Sequence, residues 1–287
     1  MAAATVARAA APASPQGVIT GKGFLDTGTG TAVTDLTGNA KFPNNPDVVY
    51  YYPYFEWNAD SSGDISIPAN NAYGENYGAQ MLGYFYPPVT GDYIFYLASD
   101  DGGNLYLSTD DTAANRKLIA QEGGWSNPRN WDTIGGGSTV AAKNSQTFTG
   151  TQWATKDPAG GAKITLTANK PYYIEALMKE ASGGDNLAVA VAAPDGSIDQ
   201  TLPIPGKYLS SDKNTGPLII VTQPLSQTVA EGSPATFRVV VDGTPPYSYQ
   251  WKKGGTDIAG ATSGSYAISR TASADNGAKF SVAITGA

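Results

Sequence analysis

The stretch that decides the fold runs over residues 93–108: Tyr93-Ile94-Phe95-Tyr96-Leu97-Ala98-Ser99-Asp100-Asp101-Gly102-Gly103-Asn104-Leu105-Tyr106-Leu107-Ser108. Large apolar side chains occupy every second position of residues 93–97 and again of residues 105–107, which is the period of a β-strand with one buried face. Because Gly102-Gly103 separates the two runs and glycine favours turns, the pattern predicts two strands joined as a hairpin.

Similar alternations continue toward the C-terminus. Ile164 and Leu166 alternate with polar residues, and an apolar run from Tyr172 to Lys179 follows Asn169-Lys170-Pro171, so we expect a second hairpin. A further strand is predicted where Leu187, Val189 and Val191 alternate with alanines. Glycine (34 residues) and proline (19 residues) are frequent, and charged residues make up only 15% of the chain. These features predict an all-β protein with little helix.

Composition excludes several classes of site. The 287 residues include no cysteine and no histidine, which rules out disulfides, Cys/His zinc sites and histidine-based catalytic triads. The net charge of −7 and the lack of a basic stripe argue against nucleic acid as a partner. No apolar run approaches the ~20 residues that span a bilayer, so membrane insertion is not expected.

Turn-rich and polar segments predict two domains with a short linker. Residues 1–16 are rich in alanine and are interpreted as a disordered leader or the remnant of a signal peptide. Residues 17–209 form the first predicted domain, residues 210–217 the linker, and residues 218–287 the second domain, which is also predicted to be β.

The second domain resembles the cysteine-free immunoglobulin-like domains of bacteria. The resemblance covers residues 218–287 and rests on Val221-Thr222-Gln223-Pro224, Glu231-Gly232, Tyr249-Gln250-Trp251-Lys252, Tyr266 and Asp275-Asn276-Gly277. It implies that Trp251 is the buried tryptophan of the sandwich and that Val239 and Val282 stand where antibody domains carry their disulfide. Phe280 occupies a position where the family commonly has tyrosine. The last strand is expected to be missing, which would leave a partial β-sandwich.

The first domain resembles the PA14 family. The motifs that carry the resemblance occur in register along residues 17–209: Asn76-Tyr77-Gly78, residues 83–95, Ser99 to Ser108, Leu118-Ile119-Ala120, Gly124-Trp125, Tyr172 to Leu177 and Asp185 to Val189. The resemblance implies a β-barrel-like sandwich. Such domains occur in toxins, adhesins, glycosidases and large exported proteins, so the fold alone does not fix a function.

The resemblance also implies a metal site. In lectin-like members of the family an adjacent Asp-Asp pair holds calcium, and the ion helps to bind sugar hydroxyls; the matching residues here are Asp100 and Asp101. On a regular strand these side chains would point to opposite faces, so both reach one ion only if the backbone departs from the β conformation, as a non-proline cis peptide would allow. Asp185 and Asn186 offer the oxygen ligands that calcium prefers and are the expected further ligands.

Two alternatives for the acidic pairs stay open. Asp100-Asp101-Gly102-Gly103 has the composition of an ordinary hairpin turn, which needs no ion. The second pair, Asp110-Asp111, precedes Thr112-Ala113-Ala114 and is interpreted as a helix cap.

Trp125 and Trp131 flank the loop at residues 126–130 and are candidate sugar-binding residues, since indole rings stack on the apolar face of a sugar. The alternative is that both rings cover the end of the sandwich.

The composition and the two resemblances together predict a non-catalytic carbohydrate-binding or adhesion module of a larger exported bacterial protein, secreted or at the cell surface. Its predicted partners are glycans and further domains of the same polypeptide, and calcium is the predicted cofactor. An architectural spacer, or the targeting module of a glycoside hydrolase, is the alternative. No motif points to the paired carboxylates that glycoside hydrolysis needs.

Overall fold

The computed structural model describes residues 17–57, 75–212, 218–243 and 247–286. The chain divides into two compact units, one ending at Lys213 and the other beginning at Asn214. The predicted leader, residues 1–16, and most of the predicted linker lie outside the described residues.

Antiparallel strands build the first unit. They are β1 (Ile19–Phe24), β2 (Val48–Tyr52), β3 (Glu56–Trp57), β4 (Gly78–Phe85), β5 (Gly91–Asp100), β6 (Gly102–Ser108), β7 (Arg116–Glu122), β8 (Ile164–Leu166), β9 (Tyr172–Lys179), β10 (Asn186–Ala192) and β11 (Leu209–Ser210). One sheet has the order β2-β1-β4-β9-β6-β7, with β11 paired to β4, and the other has the order β3-β10-β5-β8. The prediction of an all-β fold is confirmed.

The core of the first unit follows from the period-2 pattern. Tyr93, Phe95 and Leu97 of β5 are buried, and so are Leu187, Val189 and Val191 on the neighbouring β10. These side chains belong to one apolar cluster with Ile174 and Met178 of β9, which lies in the other sheet. The two sheets are therefore held together by the burial of alternate side chains.

Both hairpin predictions are wrong. β5 pairs with β8 and β10, whereas β6 pairs with β7 and β9 in the other sheet. Likewise β8 pairs with β5, while β9 pairs with β4 and β6. The alternation of apolar residues fixes which face of a strand is buried but not which strand lies beside it, and consecutive strands here cross from one sheet to the other.

Helix is scarce in the described residues, as predicted. They contain one α-helix, α1 (Val33–Thr37), and three short 3-10 helices at Ala113–Asn115, Gly206–Tyr208 and Ser273–Asp275. Helix α1 buries Val33 and Leu36 against Phe24 and Leu177. Within the described part of the chain no helix has the length and apolar character needed to cross a membrane.

The second unit is also built from antiparallel strands. They are β12 (Ile219–Thr222), β13 (Ala235–Arg238), β14 (Val240–Asp242), β15 (Ser248–Lys253), β16 (Thr256–Asp257), β17 (Ser265–Ile268) and β18 (Phe280–Thr285). β12 pairs with β14, β13 pairs with β17, and β15 lies between β16 and β18. Trp251 is fully buried, contacts the rings of Phe237 and Tyr266, and donates a hydrogen bond from Nε1 to the Ser263 carbonyl at 2.9 Å. The likeness of this unit to an immunoglobulin domain stays a prediction.

Candidate metal and ligand site

Asp100 and Asp101 lie where the chain crosses from one sheet to the other. β5 ends at Asp100, which is paired with Asn186 of β10, and β6 begins at Gly102, which is paired with Lys179 of β9. The peptide bond between Asp100 and Asp101 is cis, the conformation considered on the sequence. Because β6 begins at Gly102, the Gly102-Gly103 pair is the start of a strand and not the hairpin turn considered on the sequence.

Glu180 completes a cluster of carboxylates with this pair. Oxygens of Asp100, Asp101 and Glu180 all lie within 4.8 Å of one another. Glu180 directly follows β9, and its side chain is buried, whereas Asp100 and Asp101 are half-buried. Sequence reasoning missed Glu180 because it located strand β9 but not its position beside β6, and only that pairing brings residue 180 to the Asp pair.

Burial and mutual repulsion make these carboxylates hard to ionise together. Burial, followed by the charges of Asp101, Asp185 and Glu122, raises the pKa of Asp100 to about 7. Burial, followed by the charges of Asp101 and Asp100, raises the pKa of Glu180 to about 8. A bound cation would remove this repulsion, because it favours the ionised form of every carboxylate around it.

The hydrogen bonds of the cluster also suit a cation. Both carboxylate oxygens of Glu180 are buried without a hydrogen-bond partner among the described residues. Asp101 accepts one hydrogen bond through Oδ2, from the backbone N–H of Ala181 at 3.1 Å. Buried acceptors that receive no donor are costly, and a hard cation such as calcium satisfies several carboxylate oxygens at once. The residues present therefore fit an oxygen-coordinated metal ion.

Asp185 and Asn186, the other predicted ligands, lie next to this cluster. The loop before them reaches Asp100, since a Cβ added to Gly184 would stand 3.1 Å from Asp100 Oδ2. Oδ1 of Asn186 is buried without a hydrogen-bond partner among the described residues, while its Nδ2 donates to the Ser126 carbonyl at 2.9 Å. Asp185 Oδ2 accepts a hydrogen bond from the Tyr77 hydroxyl at 2.8 Å, and Asp185 is not one of the three carboxylates within 4.8 Å.

The two predicted tryptophans differ in environment. Trp125 is 41% exposed, and its ring lies against Gly135, where an added Cβ would stand 2.1 Å from Cε3 of the indole. Trp131 is half-buried and donates a hydrogen bond from Nε1 to the Thr201 carbonyl at 3.2 Å. Trp125 is therefore the more accessible of the two indoles, and one of its faces packs against Gly135.

In the second acidic pair, Asp110-Asp111, the Asp110 side chain accepts hydrogen bonds from the turn that follows it. Asp110 accepts hydrogen bonds from the Thr112 N–H at 2.7 Å and from Asn115 Nδ2 at 2.7 Å, just before the 3-10 helix at Ala113–Asn115. The predicted cap is thus a short turn in which Asp110 precedes the N-cap residue, Thr112.

Comparison with solved structures finds several PA14 and adhesin domains at low sequence identity. The PA14 domain of the antifreeze protein MpAFP is 14% identical, and the match covers 71% of this chain and 95% of that chain with a TM-score of 0.44. The PA14 sugar-binding domain of an RTX adhesin is 14% identical, over 68% of this chain and 98% of that chain, with a TM-score of 0.42. The Epithelial Adhesin 9 A domain from Candida glabrata, solved with Galβ1-4GlcNAc, is 12% identical over 63% of this chain and 83% of that chain, with a TM-score of 0.38.

A match to a sequence family covers the unit that carries the carboxylate cluster. The family is described as the PA14 domain, and the match runs over residues 28–202, more than half of the chain. The matched range includes the Asp pair, Glu180 and Trp125. This chain belongs to the PA14 domain family.

Proposed function

We propose that the first unit is a non-catalytic glycan-binding module whose ligand is held through a calcium ion at Asp100, Asp101 and Glu180. The observation that carries the proposal is the buried Glu180 carboxylate, whose two oxygens lack hydrogen-bond donors beside the Asp pair. Asp185 and Asn186 are proposed as additional ligands. Calcium takes 6–8 oxygen ligands, so a site of this composition leaves positions for water or for hydroxyl groups of a ligand.

The surroundings of the cluster support a sugar as that ligand. Asp100 and Asp101 are only half-buried, so an ion between them can be reached from solvent. The segment that carries Trp125 is attached to the site, because the Ser126 N–H donates to the Ser99 carbonyl at 2.8 Å. A sugar presents hydroxyl oxygens to an ion and an apolar ring face to an indole, which matches this pairing of features.

The second unit is proposed to be an immunoglobulin-like spacer or adhesion repeat, supported by its antiparallel strands and by the buried Trp251. An exported protein, secreted or at the cell surface of a bacterium, is the setting proposed for both units. If the first unit binds no sugar, a spacer role for both becomes the better account.

A glycan array tests the proposed function. The full chain should bind a restricted set of glycans in calcium and lose that binding in chelator. Asp101→Asn should abolish binding, while Asp111→Asn, in the chain's other Asp-Asp pair, should leave it intact. Binding that is the same in chelator and in calcium would disprove the role of the ion, and a blank array with calcium-loaded protein would favour the spacer.

A further inference from the structure

The segment that carries Trp125 is a closed loop, here called the tryptophan loop (residues 123–137). The Trp125 N–H donates to the Gly136 carbonyl at 3.0 Å, and the Gly135 N–H donates to the Trp125 carbonyl at 2.9 Å. These two hydrogen bonds join the ends of the loop directly under the indole. The base of the loop is attached to the carboxylate site through Ser126, which bonds to Ser99 and to Asn186.

An ion pair holds the far part of the loop. Arg129 donates from Nε to Glu56 Oε1 at 2.8 Å and from its terminal nitrogen to Glu56 Oε2 at 2.7 Å. Glu56 is only 2% exposed and belongs to β3, which pairs with β10 beside the site. A two-pronged contact between a guanidinium and a buried carboxylate fixes both distance and orientation.

A buried ammonium group forms hydrogen bonds to the backbone of the tryptophan loop. Lys143 is fully buried, and its Nζ donates to the carbonyls of Asn130 and Thr133, the latter at 2.8 Å. The same Nζ lies 3.6 Å from Glu122 Oε2, at the end of β7. The buried carboxylate of Glu56 and the buried ammonium of Lys143 therefore both hold this surface loop in place. Burying a charge is costly unless its partners are well placed.

Resting on the function proposed above, we infer that Arg129 and Lys143 are positioning residues for the glycan site. They hold the tryptophan loop in the conformation that places Trp125 beside the ion before any ligand arrives. Ordering this loop only on binding would oppose affinity, so anchoring it in advance strengthens binding without a new contact to the sugar.

The chain offers a matched control for testing this inference. Arg116 pairs through Nε with Oε2 of the buried Glu175 at 2.8 Å, on β7 and β9, outside the tryptophan loop. Arg129→Lys replaces the guanidinium by an ammonium, which cannot make the two-pronged contact with Glu56. Arg116→Lys makes the same side-chain change at an ion pair with a buried glutamate that is made through one contact. Gly135→Ala is a second test variant. It changes neither the Arg129–Glu56 pair nor the Lys143–Glu122 pair, and it should displace the indole, because the added Cβ would stand 2.1 Å from Cε3 of Trp125.

Three measurements on the full chain separate the outcomes. Backbone hydrogen exchange of residues 125–136 should become faster in Arg129→Lys and remain unchanged in Arg116→Lys. Calorimetry with calcium alone should give wild-type affinity for both variants. Binding of methyl glycosides of galactose, glucose, mannose, fucose and N-acetylglucosamine, in calcium, should weaken by about tenfold in Arg129→Lys and in Gly135→Ala but not in Arg116→Lys.

Unchanged hydrogen exchange in Arg129→Lys would overturn the inference whatever the protein binds. Faster exchange with unchanged glycoside affinity would also overturn it, because the anchored loop would then have no role in binding. If the wild-type protein binds calcium but none of the glycosides, and the glycan array is blank as well, the proposed function itself fails.

Discussion

At the scale of single residues, the three clustered carboxylates have a geometry that could hold a cation. Asp100 and Glu180 keep protons at a pH where exposed carboxylates are ionised, because burial and neighbouring charges disfavour their anionic forms. The raised pKa values oppose folding at a pH where the unfolded chain would have released these protons.

The pH dependence of stability should reveal this arrangement. In chelator the folded protein holds protons on Asp100 and Glu180 that the unfolded chain releases near their ordinary values of 3.8 and 4.5. The free energy of unfolding should therefore decrease as the pH rises from about 4 through about 8, the folded-state pKa values. Saturating calcium should flatten this decrease, and urea unfolding across the range measures both curves. Identical curves with and without calcium would contradict the assignment.

Glu180 should prove to be a ligand although sequence reasoning missed it. Glu180→Gln removes one negative charge and one ligand oxygen, so calcium affinity should fall by at least about tenfold in calorimetry. Glu231→Gln, in the second unit, should leave the affinity unchanged. Wild-type affinity in Glu180→Gln would remove Glu180 from the site.

At the scale of elements, the crossover from β5 to β6 depends on close packing around Gly102. A Cβ at this position would stand 2.5 Å from the Thr31 carbonyl oxygen, which belongs to the backbone and has little room to move. Gly102→Ala should therefore destabilise the first unit by about 1–3 kcal/mol and lower its unfolding midpoint by several degrees. Thermal unfolding checks this, and Gly264→Ala is the control, since its nearest contacts begin at 3.7 Å. Equal midpoints for the two variants would show that the crossover tolerates a side chain.

The strands could be predicted from the sequence, but their pairing could not. The run from Tyr172 to Lys179 is a strand with the predicted bounds, because a short apolar run that follows turn residues is typical of a strand buried on both faces. The partners of a strand depend on contacts between distant residues, which a local pattern does not contain, and both predicted hairpins failed for this reason. The Asp pair could be found because a sequence motif marks it, whereas Glu180 becomes visible only when β9 is placed beside β6.

At the scale of the whole molecule, the chain separates a unit with the carboxylate cluster from a unit whose core is centred on Trp251. Trp251→Ala should remove about 3–5 kcal/mol from the second unit, a large fraction of the stability of a small domain. Thermal unfolding should show the loss of that unit's transition, and calcium affinity should stay at the wild-type value. A loss of calcium binding in this variant would contradict a site confined to the first unit.

Thermal unfolding of the full chain in chelator and in millimolar calcium tests the central claim most directly. An ion at ~100 times its dissociation constant adds ~2.7 kcal/mol, so calcium should raise the midpoint of the first unit by several degrees. Asp101→Asn should abolish the increase, and Asp111→Asn should retain it. A wild-type midpoint that calcium does not change at any concentration would contradict the calcium site and the glycan-binding function that depends on it.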